Sequence, residues 1–109
     1  MDSFNVILAP AARDQLDRFV DYIQYTLLNE QAAKNVYEDA VETLDELKTI
    51  ATSLQYCRNP QLRERGYRLI NFRHHQYLML YLVNGTDVYV EAVYHQLQDY
   101  ENTFLATLN

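Results

Sequence analysis

The sequence predicts an α+β protein of two layers, a helical hairpin packed on a small antiparallel sheet. Apolar residues recur at helical spacing through the first half of the chain. After Gly66 they change to short runs rich in valine, isoleucine, leucine and tyrosine, divided by turn residues. With 109 residues and 49% hydrophobic side chains there is material for one core and too little for two. Residues 1–109 are therefore read as a single domain.

The expected order is strand, helix, helix and three strands, with a short C-terminal tail or helix. Phe4, Val6 and Leu8 fall on one side of an extended segment that Pro10 ends. Leu16, Phe19, Val20, Ile23 and Leu27 then form a helical stripe, opposed by acids and Arg18, up to the polar break at Asn29. Asn29 suits the cap of a longer second helix with Ala33, Val36, Tyr37, Ala40, Leu44, Leu47, Ala51 and Leu54 on its apolar face. So short a connection makes the two helices an antiparallel hairpin.

Gln55 to Arg65 loses periodicity, contains Pro60 and reads as a loop or frayed turn, the segment most suited to motion. Tyr67–Phe72, Tyr77–Val83 and Val88–His95 read as a meander with a tight turn at Asn84-Gly85. Simple alternation puts Arg68, Ile70, Phe72, Tyr77, Met79, Tyr81, Val90, Ala92 and Tyr94 on one face. Leu69, Asn71, Leu78, Leu80, Leu82, Glu91, Val93 and His95 take the other. Both faces are more apolar than a half-exposed sheet needs, so the tail from Leu97 to Asn109, or a partner, should cover the second. An open edge of so small a sheet would suit an added strand.

Two glycines, two prolines and fourteen aromatic residues exclude collagen-like, low-complexity and disordered classes. A lone cysteine, Cys57, closes no intrachain disulfide, which makes a reduced cytoplasm the expected location. Neither a secretion signal nor a membrane span is expected, since Asp2 stands where a basic leader would begin and the longest later apolar run, Tyr77 to Val83, is seven residues.

Net charge is -6, unevenly spread. Pro10 to Thr52 carries nine acids against four bases, whereas Ser53 to His75 carries Arg58, Arg63, Arg65, Arg68 and Arg73 against Glu64 alone. Such an arginine segment can address phosphate even in an acidic protein, or it can pair with helix carboxylates.

Several features in order, Pro10-Ala11-Ala12 opening a helix, Leu16 to Ile23, Ala32-Ala33, Leu47, Gly66-Tyr67-Arg68, Tyr77 to Tyr81 and Val88 to Tyr100, resemble the RelE/ParE toxin family over nearly the whole chain. The resemblance implies the toxin of a bacterial type II toxin-antitoxin pair, neutralised by a cognate antitoxin protein. RelE-like members cut messenger RNA on the ribosome, and ParE-like members poison DNA gyrase. The first would be a metal-independent endoribonuclease and the second no enzyme. A protein-binding module that keeps the fold without toxicity is the alternative.

RNA cleavage through the 2'-hydroxyl needs a base, a positive charge at the phosphate and an acid for the leaving oxygen. Arg68 matches the arginine RelE-like toxins place on this strand, where its guanidinium would grip phosphate oxygens. Its alternative is an ion pair with a helix carboxylate. His95 stands where the family often has a histidine, and would serve as base or acid, or else position the tail. Tyr100 completes the candidate catalytic set, and Arg65, Arg73 and Tyr94 are candidate substrate contacts. Core packing is the alternative for either tyrosine.

Gln96 stands where many members have an arginine, and the only lysines, Lys34 and Lys48, lie on an acidic helix. An acidic body is repelled by ribosomal RNA, which favours gyrase or another protein target, or a toxin whose activity has been lost. No cofactor or metal is expected: His74, His75 and His95 have no carboxylate at local ligand spacing. Cys57 has no assigned base to make it a nucleophile.

Overall fold

The computed structural model describes residues 3–108, so Met1, Asp2 and Asn109 lie outside it. Four strands, β1 (Asn5–Leu8), β2 (Arg68–Asn71), β3 (Tyr77–Asn84) and β4 (Asp87–His95), form one sheet in the order β1-β4-β3-β2. β2, β3 and β4 are the antiparallel meander, and β1 joins it parallel to β4. Helices α1 (Pro10–Asp21) and α2 (Glu30–Ile50) make the hairpin. Asn29 caps α2 by accepting from Ala32 N at 3.0 Å.

The hairpin covers one sheet face with Ala12, Leu16, Ala40 and Leu47 against Ile70, Met79, Tyr81 and Val90. Two of its expected apolar contacts fail. A π-helical turn, Tyr22–Thr26, follows α1 and adds backbone to the last turn, which rotates Leu27 outward to 56% exposure. Tyr37 is likewise 46% exposed, beside rather than on the stripe of Ala33, Val36, Ala40 and Leu47.

The aperiodic segment also differs from the expected loop. Asn59 accepts from Gln61 N and Leu62 N to cap a five-residue helix, α3 (Pro60–Glu64), which buries Leu62. Glu101, in the first turn of α4 (Tyr100–Thr107), accepts from Asn59 N at 2.6 Å and Arg58 N at 3.3 Å and ties the two short helices together. Periodicity cannot report a helix of five residues, though Asn59-Pro60 is a start signal.

Face assignment in β4 is corrected by a bulge. Leu80 pairs with Ala92 and Tyr81 with Val90, leaving Glu91 unmatched and reversing the alternation beyond it. Val93 and His95 consequently face the hairpin with Tyr77 and Met79, and Ala92 and Tyr94 face away. On that second face Leu78, Leu80, Ala92 and Tyr94 pack against Cys57, Leu62, Tyr67 and Phe104. The tail therefore covers it as α4, helped by α3. Asn84 pairs with Asp87, placing Gly85 and Thr86 at the turn, with Gly85 at φ +62°.

Candidate functional site

Arg68 lies on the edge strand β2 and points to the hairpin face, where it is committed to backbone carbonyls. Its Nη1 donates to Leu54 O and, at 3.3 Å, to Thr52 O, just beyond α2. Its Nη2 donates to the Tyr56 hydroxyl at 2.8 Å, and the guanidinium lies over the Tyr56 ring. A guanidinium so engaged braces the chain that leaves α2 and has few of its five N–H donors left for phosphate. The partners are carbonyls, where an ion pair with a helix carboxylate was the expected alternative to catalysis.

His95 stands elsewhere. Arg68 is opposite Tyr81 and His95 opposite Tyr77, so four residues of β3, about 13 Å of strand, separate their levels. Buried Tyr81 and Met79 fill the interval. His95 Nδ1 accepts from Leu97 N at 3.1 Å, which places the ring proton on Nε2. Its ring packs edge-on against Tyr77 at 5.1 Å, and Gln98 Oε1 accepts from His95 N at 2.8 Å. These contacts shape the turn into α4. His95, His74 and His75 share a cleft of about 500 Å³ with Ile23, Val36 and Tyr77.

Tyr100 is half-buried at the start of α4 and lines a different cleft, about 720 Å³, along β2 with Tyr56, Arg58 and Leu69. His95 and Tyr100, expected in one catalytic groove with Arg68, thus line separate clefts. Arg65 is exposed at the end of α3, and Arg73 pairs with Glu46 at 2.6 Å. Tyr94, expected to stack on a base, is 4% exposed, because the bulge turns it into the second core. Cys57 is fully buried, and burial reinforced by the Glu101 charge pushes its thiol up to about 12. It is no nucleophile near neutral pH.

A cluster that local spacing does not show lies under the β2–β3 turn. Asp39, buried in the middle of α2, accepts from His74 N at 2.9 Å and has His75 Nδ1 at 2.7 Å from its Oδ2. Glu42 lies 3.7 Å from His74 Nε2. The carboxylates absent from the sequence neighbourhood of the histidines come from α2, 35 residues away in the case of Asp39. Sequence reading counted Asp39 as one of the helix acids, and its place three residues after the buried Val36 was the available signal.

The profile of the family described as "ParE toxin of type II toxin-antitoxin system, parDE" matches residues 6–100. The chain belongs to the ParE toxin family. Among solved structures, this ParE-type toxin is similar to the "Chromosomal ParDE TA system from P. aeruginosa", at 17% identity and a TM-score of 0.70, covering 85% of this chain and 96% of that chain. At that identity the likeness shows a shared fold. No curated protein matches the ParE-type toxin significantly. Among its described residues no helix is long and apolar enough to cross a membrane.

Proposed function

We propose that this ParE-type toxin acts in the cytoplasm on DNA gyrase, is held silent by a cognate antitoxin protein, and does not cleave ribosome-bound messenger RNA. The observation that carries the reading is the separation of Arg68 from His95, with Arg68 committed to the carbonyls of Thr52 and Leu54. In-line attack by a 2'-hydroxyl needs base, cation and acid around one phosphate, and here Arg68 and His95 stand about 13 Å apart along β3. A net charge of -6 further weakens approach to ribosomal RNA.

An inhibitor needs a contact surface, and the hairpin tip offers one. Tyr22, Tyr25, Leu27 and Leu28 are 55, 68, 56 and 82% exposed there. Adjacent large apolar side chains in water mark a surface built to be covered by protein.

The test has two arms. Expression of the chain alone should arrest growth, and co-expression of the cognate antitoxin should relieve it. Purified toxin added to programmed ribosomes should leave the messenger intact by primer extension. Cleavage that disappears in Arg68→Ala protein of equal folded content would reverse the assignment in favour of a nuclease. Normal growth with abundant folded protein would identify a non-toxic module on the same fold.

A further inference from the structure

We propose that Asp39, Glu42 and His74 form a binding site for a divalent transition-metal cation of the zinc type. One donor atom from each residue lies within 4.8 Å of the other two. The three belong to two elements, Asp39 and Glu42 one helical turn apart on α2 and His74 in the turn between β2 and β3. They line a cleft of about 260 Å³ with Asn35, Glu38 and His75.

The burial of Asp39 supports the site apart from the spacing of the donors. Asp39 is 2% exposed, its Oδ2 accepts from His74 N and lies against His75 Nδ1, and its Oδ1 has no hydrogen-bond partner. A buried carboxylate oxygen without a partner is costly, and a cation is the partner that returns most. The surrounding charge agrees, since Glu38 lines the same cleft beside the three donors.

The donor set selects the kind of metal. One imidazole nitrogen and two carboxylate oxygens suit zinc and its neighbours, and an open position remains for water. Ligand bonds of about 2.0–2.2 Å at tetrahedral angles place donors about 3.4 Å apart. Glu42 and His74 can close the remaining distance by rotation, because their side chains are 57 and 61% exposed. His75, bonded to Oδ2 of Asp39, would hold the carboxylate in orientation, as outer partners of metal ligands do. A bound ion would fasten the β2–β3 turn to α2 beside the cleft that contains His95.

The experiment uses the whole chain, treated with chelator and titrated with zinc alone by calorimetry and thermal unfolding. One saturable site per chain is expected, with a rise in Tm on binding. His74→Ala and Glu42→Gln alter exposed side chains, so the metal-free proteins should unfold at the parent temperature. Each should weaken binding by at least about tenfold. Cobalt substituted into the parent should show the visible absorption of a four-coordinate site, and both variants should lose it. No saturable binding would overturn the proposal. Binding lost in His74→Ala but kept in Glu42→Gln would also overturn it, marking capture by surface imidazole alone.

Discussion

The guanidinium carbon of Arg68 stands 3.9 Å from the centroid of the Tyr56 ring while its Nη2 donates to the hydroxyl of that ring at 2.8 Å. Together with the carbonyls of Thr52 and Leu54, this makes Arg68 the fastener between the segment that follows α2 and the edge strand β2. Arg68→Ala should therefore lower stability by about 1–3 kcal/mol, since a charged donor is lost and its acceptors are left unpaired. Arg68→Lys should recover little, because one ammonium cannot serve a planar fork of partners. Urea unfolding checks this, and the gyrase inhibition of whatever remains folded should match the parent. Unchanged stability with lost toxicity would mean that Arg68 acts on the target.

At the hairpin tip, Leu28 has a φ of 53° and is 82% exposed. A left-handed conformation costs a branched side chain about 1–2 kcal/mol, and here no burial offsets it. After allowance for the extra freedom glycine gains when unfolded, Leu28→Gly should raise stability by about 0.5–1 kcal/mol. The same change removes part of the proposed contact surface, so gyrase inhibition should fall as stability rises. Thermal unfolding and supercoiling on one preparation would show whether the strain is retained for binding.

Tyr25 separates contact from strain, since it lies in the π-helical turn and is 68% exposed. Tyr25→Ser should change stability by no more than about 0.5 kcal/mol and weaken gyrase inhibition about tenfold. Full inhibition by Tyr25→Ser together with Leu27→Ser would remove the hairpin tip as the contact.

Buried acidic groups, Cys57 and Tyr67 among them, set the alkaline limit of the fold, with the Tyr77 and Tyr81 hydroxyls pushed up in the same way. Burial pushes the Cys57 thiol up to about 12, and burial with the Glu91 carboxylate does the same to the Tyr67 hydroxyl, which donates to Glu91 at 3.1 Å. Cys57 and Tyr67 hold their protons more tightly when folded, so their contribution is complete below about pH 9 and is lost as pH rises toward 12. Tm should fall steadily above pH 9, and Cys57→Ala should make that slope shallower even though its starting Tm is lower. A thiol reagent at pH 8 should leave native Cys57 untouched and label it fully in denaturant.

The architecture was legible because each main element has its own period. The stripe of Leu16, Phe19, Val20 and Ile23 and the cap at Asn29 place the hairpin, and the run from Tyr77 to Val83 places the central strand. What escaped depends on a single residue or on distance. One unmatched residue, Glu91, reverses the faces of Tyr94 and His95, and alternation has no means of announcing a bulge. The π-helical turn does the same to Leu27. Residue type and strand position do not reveal what a side chain is bound to, so neither the burial of Tyr94 nor the carbonyl partners of Arg68 is legible in the sequence. Asp39 was missed because its partners, His74 and His75, lie beyond any local pattern.

The assignment to gyrase rests on the separation of Arg68 from His95, and DNA supercoiling by purified gyrase tests it most directly. Folded toxin titrated into the assay should abolish supercoiling, and toxin preincubated with its antitoxin should not. Undiminished supercoiling at a large molar excess of folded toxin would contradict the assignment.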